Sequence, residues 1–198
     1  MIKSSVSTAA GAWRAGDGVP VTLREATMAW AFAAHAELSE IATGYGNFIT
    51  VDELAERVQE ASGVQTGAPT RTWMEAILRK VARRCHNAGE PPLTSLCVQE
   101  NHTVGDTYKY VLELAGLPVP KDLELHASYA RWQCYEHHGA AMPAELTAPP
   151  LTPKVAGRRS AGTTATSTQE AKPEPARAAV CDQCFIQLPA SGTCQYCV

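Results

Sequence analysis

The sequence predicts a mainly α domain with a small antiparallel hairpin, joined by a long tether to a short cysteine-rich tail. Three observations lead there. Three runs carry apolar residues at helical spacing, each near a threonine followed three residues later by glutamate; two alternating segments flank a polar turn; and the composition changes abruptly after His138. With 198 residues and 45% hydrophobic content the chain can bury a core, and no run approaches the roughly 18 apolar residues that cross a bilayer.

Residues 1–20 are small and polar and are expected to form a flexible arm, with Trp13 folded back onto the domain. The first helix is expected from Thr22, which has Glu25 at capping-box spacing; Leu23, Trp30, Ala31, Ala34, Leu38 and Ile41 form its apolar stripe, and Gly44 closes it. Phe48 and Ile49 suit a short strand. Thr50 and Glu53 repeat the box ahead of a second helix, whose buried face is Leu54, Ala55 and Val58 and whose end lies near Gly63. Thr72 and Glu75 give a third box, with Thr70 as an alternative N-cap. Trp73, Met74, Ile77, Leu78, Val81 and Cys85 then line one side of a helix that stops before Gly89. Leu93 to Val98 and Tyr108 to Leu112 read as strands around the turn Gln99 to Asp106. After the connector Gly116 to Pro120, Asp122 to His138 reads as a further helix packed through Leu125, Tyr129, Trp132 and Cys134.

Helix, short strand, two more helices and a hairpin is the order of a winged helix-turn-helix. ITVDELAERVQEASGV (Ile49 to Val64) resembles the first helix of the turn motif, TRTWMEAILRKVARRCH (Thr70 to His86) the recognition helix, and LTSLCVQENHTVGDTYKYVLE (Leu93 to Glu113) the wing. The resemblance implies a winged-helix domain over residues 21–138, extended by the extra C-terminal helix. It also implies that the third helix meets duplex DNA.

Residues 139–179 are dominated by Pro, Ala, Thr and Ser and lack aromatics, which predicts a disordered linker. Residues 180–198 contain CDQCFIQLPASGTCQYC, two cysteine pairs of CxxC spacing. Each pair can grip one side of a tetrahedral ion, so Cys181, Cys184, Cys194 and Cys197 are the expected ligands of one Zn²⁺. Four thiolates leave no open position, which makes that zinc structural. Two disulfides would need an oxidising compartment, and a redox CxxC would need a βαβ pattern that is missing here. The unit resembles a small zinc ribbon, and a protein partner is its expected target.

The formal charge of −3 excludes a protein that coats nucleic acid by bulk positive charge. Thr70 to His86 nevertheless holds five basic residues against one acidic, a local +4. Arg71 and Thr72, with Thr70 at the helix start, are the candidates for base contact. Arg79 suits a base edge or a phosphate; Lys80, Arg83 and Arg84 suit phosphates, and Lys109 is the one basic residue of the expected hairpin. Against this reading stand the acidic wing, with Glu100 and Asp106, and the acidic second helix, with Asp52, Glu53, Glu56 and Glu60. They favour a protein-interaction adaptor in a larger nucleic-acid machine, and a homodimer is compatible with it. A non-catalytic subunit of a DNA restriction or modification system is a third reading.

Residues 1–18 lack the apolar core of a secretory signal, so the expected location is the cytoplasm. No catalytic residue is expected: nucleophile elbow, phosphate loop and H-E-x-x-H motif are all missing from the sequence. Cys85, His86, Cys97, His102, Cys134, His137 and His138 offer the atoms for a second metal site, but core packing is the default for such cysteines. The expectation is thus a non-catalytic DNA-binding accessory or regulatory protein, acting in transcription regulation or a similar role.

Overall fold

The computed structural model describes residues 11–145 and 149–166. Its internal contacts divide the chain into residues 1–159 and 160–198, and the packing described below is that of the first unit. In order, the elements are β1 (Ala12–Arg14), β2 (Pro20–Val21), α1 (Leu23–Ala42), β3 (Ile49–Thr50), α2 (Val51–Ser62), β4 (Val64–Thr66), α3 (Thr70–Ala88), a 3₁₀ turn (Leu93–Leu96), β5 (Cys97–Val98), α4 (Asp106–Leu114), α5 (Leu123–His137) and α6 (Pro153–Thr166). The fold is mainly α with a small antiparallel sheet. Among the described residues no helix is long and apolar enough to cross a membrane.

Two helices begin where their capping boxes place them. The Thr22 hydroxyl accepts from the Glu25 amide while the Glu25 carboxylate accepts from the Thr22 amide, and Thr50 and Glu53 do the same. These bonds hold both glutamates below the usual carboxylate range, the backbone amide of the threonine being the larger cause. Gly63 and Gly89 end α2 and α3 in the left-handed conformation that glycine adopts without steric cost.

The core is a three-helix body of α1, α2 and α3. Trp30 is buried with its indole N–H donating to the Val64 carbonyl at 2.8 Å, and its ring lies 4.5 Å from that of Trp73. Leu38, Leu54, Val58, Met74, Ile77 and Val81 complete it as read from the apolar spacing. Leu23 does not join them; it is 74% exposed at the start of α1.

Five expectations are corrected. The expected N-terminal arm supplies β1, the middle strand of the sheet β2-β1-β4: Ala12 faces Val21 on one side and Thr66 on the other, and half-buried Trp13 faces Pro20 and Gln65. Backbone pairing on both edges anchors a segment too short to show periodicity. The third capping box does not form. Helix α3 starts at Thr70 after Pro69, and the Thr72 hydroxyl instead donates to the Pro69 carbonyl at 2.6 Å.

The hairpin wing does not form either. Leu93–Leu96 is a 3₁₀ turn, Cys97–Val98 pairs in parallel with β3, and Tyr108 to Leu112 lies within α4. The apparent alternation of Tyr108 to Leu112 is overruled by Tyr108 and Leu112, four apart, which are both buried on one helical face. In α5 the packing residues are Ala127, Ala130, Arg131, Cys134 and Tyr135, whereas Leu125 and Tyr129 are exposed and Trp132 is half-buried.

The expected linker is structured over residues 149–166. Helix α6 begins there, Val155 is buried, and three donors grip carbonyls of the polar turn: Thr152 on His102 at 2.8 Å, Lys154 on Glu100 at 2.7 Å and Arg158 on Asn101 at 3.2 Å. Arg159 adds an ion pair to Asp122 at 2.6 Å. The unsatisfied carbonyls of a turn and a cationic helix compensate each other, a long-range match that composition does not display.

Candidate nucleic-acid interface

Helix α3 is split lengthwise. Trp73, Met74, Ile77, Leu78, Val81, Ala82 and Cys85 are buried, and the opposite side carries Arg79, Lys80, Arg83 and Arg84 in solvent. Its neighbours on that side are α1 and α4, and each contributes an aromatic ring.

On the α4 side, Arg79 lies 4.9 Å above the centre of the Tyr110 ring and pairs with Glu75 at 3.0 Å. Arg83 donates to the Tyr110 hydroxyl from both Nε and Nη2. On the α1 side, the Arg84 guanidinium lies 5.5 Å above the Phe32 ring. Between α1 and α3 runs a groove of about 290 Å³ lined by Met28, Ala31, Phe32, Lys80, Arg83, Arg84 and Asn87. Phe32 and Met28 are 58% and 48% exposed, so the floor is apolar and the rim cationic.

The N-terminal end of α3 differs. Thr70 and Arg71 line a second cleft together with Asp52, Glu75, Glu100 and Asp106. Lys109 is engaged by Asp106 at 2.7 Å, a bond that holds the Asp106 carboxyl below its ordinary range. The structure therefore brings Lys80, Arg83 and Arg84 together. It sets Thr70 and Arg71 among carboxylates, keeps the Thr72 hydroxyl on its own helix start, and commits Arg79 and Lys109 to acidic partners.

Sequence reasoning missed Phe32, Met28 and Tyr110. An aromatic residue off the apolar stripe of α1 was the available signal for Phe32; none marked Tyr110, whose segment read as a strand.

The remaining cysteines of the first unit are free and buried. Burial pushes the Cys97 and Cys134 thiols up to about 12, so both stay protonated at neutral pH. Cys181, Cys184, Cys194 and Cys197 lie outside the described residues. Comparison with family models, with curated proteins and with solved structures yields no match to this chain.

Proposed function

We propose that this chain is a non-catalytic nucleic-acid-binding accessory protein that contacts duplex DNA through the exposed side of α3. The observation that carries this reading is the groove between α1 and α3, where Lys80, Arg83 and Arg84 converge beside an exposed aromatic ring. Three cations in one helical turn and a half suit successive phosphates, and planar guanidiniums spread over rings are already ordered for bidentate contact. The helix order α1, α2, α3 supports a helix-turn-helix use of α3, with the hairpin wing playing no part. The paired cysteines of residues 181–197 support a structural zinc and, through it, a protein partner.

Fluorescence anisotropy of a mixed-sequence duplex, titrated with the full chain at several salt concentrations, tests this. Each phosphate contact contributes about 0.9 to the slope of log affinity against log salt, so the triple variant Lys80→Ala, Arg83→Ala, Arg84→Ala should flatten it by about 3 and weaken binding at every salt concentration. Unchanged affinity and slope would sink the assignment.

The carboxylates around Thr70 and Arg71 favour a second reading, a protein-docking adaptor, because they stand where a recognition helix would present its base-reading end. A chain that binds no duplex at low salt but co-purifies with one fixed partner would select it.

A further inference from the structure

His35 of α1, Cys85 near the end of α3 and Glu90 just past the αL residue Gly89 come from separate parts of the sequence, yet one ligand atom from each lies within 4.8 Å of the others. His35 Nε2 and Glu90 Oε2 are 3.2 Å apart. Two ligands about 2.0–2.1 Å from a tetrahedral ion stand roughly 3.3 Å apart, so that separation matches a shared cation as well as a hydrogen bond.

The backbone prepares the cluster. The Glu90 amide donates to the Cys85 carbonyl at 2.9 Å, which folds the chain back over the end of α3 and returns the carboxylate to the cysteine. Burial above all, and the Glu90 charge with it, push the Cys85 thiol above its ordinary value. The sulfur is buried and the Glu90 side chain is 32% exposed, leaving a route in from solvent.

We infer that His35, Cys85 and Glu90 form a binding site for one divalent cation of the zinc class. One sulfur, one imidazole nitrogen and one carboxylate oxygen form a borderline-soft donor set that suits Zn²⁺ and disfavours Mg²⁺ or Ca²⁺, which take oxygen ligands. The site ties α1 to the end of α3 and is independent of the cysteine pairs at residues 181–197.

The test counts zinc. Full-length reduced protein, stripped with a chelator, is titrated with Zn²⁺ against a chromophoric competitor and compared with Glu90→Gln, His35→Ala and Cys85→Ser variants. The glutamine amide retains a hydrogen bond to His35 but offers no carboxylate, so Glu90→Gln separates a metal ligand from a structural pair; circular dichroism confirms that it folds. Each variant should bind one equivalent fewer than the parent chain or bind it at least tenfold more weakly, and Co²⁺ loading should lose the absorbance of one thiolate in Cys85→Ser. If folded Glu90→Gln and His35→Ala both bind as many equivalents, as tightly, as the parent, the site does not exist, whatever the cysteine pairs bind.

Discussion

The two ends of α3 are built on one helix yet face opposite electrostatic surroundings. At its start, Arg71 shares a cleft with Asp52 of α2, Glu75 of its own helix, Glu100 of the polar turn and Asp106 of α4. In its second half, Lys80, Arg83 and Arg84 border an apolar groove to which α1 contributes Met28, Ala31 and Phe32 but no acid. A polyanion responds to the field of everything packed around a helix, so the +4 of the isolated segment overstates what the acidic end presents and resides in the second half.

The most severe way to break this contrast is to remove the pivot under both ends. Trp30→Ala deletes the ring against Trp73 and leaves the Val64 carbonyl without its indole donor, which should cost about 3–5 kcal/mol. The shift in urea midpoint measures it. A loss below about 1 kcal/mol would mean that α3 is held elsewhere.

A smaller change acts on the acidic end alone. Thr50→Ala removes the N-cap of α2, the helix that presents Asp52, and should cost about 1 kcal/mol. Glu53 titrates below its ordinary value when folded, so its share of the capping box is fully present above the ordinary glutamate range and is lost as pH falls through the lower folded value. The stability gap between Thr50→Ala and the parent should therefore narrow in acid. A gap that stays constant down to the acid transition would remove the bond between the Thr50 hydroxyl and the Glu53 carboxylate from the account.

The gentlest test sharpens the comparison directly. Glu100→Gln combined with Asp106→Asn removes two charges from the acidic cleft and releases Lys109. Duplex affinity should rise about two- to threefold at low salt and return to the parent value near 0.5 M, as expected for screened surface charge. If affinity is unchanged at all salt concentrations, the duplex touches only the second half of α3.

How much was legible follows from how far apart the interacting groups lie in the chain. Thr22–Glu25 and Thr50–Glu53 announce their helices because the capping partners are three residues apart. The buried stripe of α3 is equally visible because Trp73, Ile77 and Val81 repeat at helical spacing. Tyr108 to Leu112 failed because five residues satisfy a strand pattern and a helix pattern alike, and only the surroundings of Tyr108 and Leu112 decide between them. The candidate site divides the same way. Its cations could be read from Thr70 to His86, but the rings that order them come from α1 and α4, and their positions follow from packing.

By itself the sequence determined the helical body, the capped starts of α1 and α2, the glycine stops of α2 and α3, the local basic charge on α3 and the paired CxxC spacing of its last cysteines. Tertiary structure alone decided that residues 12–14 form the central strand, that residues 93–114 make a turn and a helix in place of a wing, and that α6 begins within the proline-rich stretch and grips a turn some fifty residues earlier. It alone brought His35 to Cys85 and Glu90. The physical reason is common to all of these. Short-range order comes from bonds between near neighbours, whereas backbone pairing, carbonyl capping and ligand clusters join residues far apart in the chain, whose meeting depends on how the whole core closes.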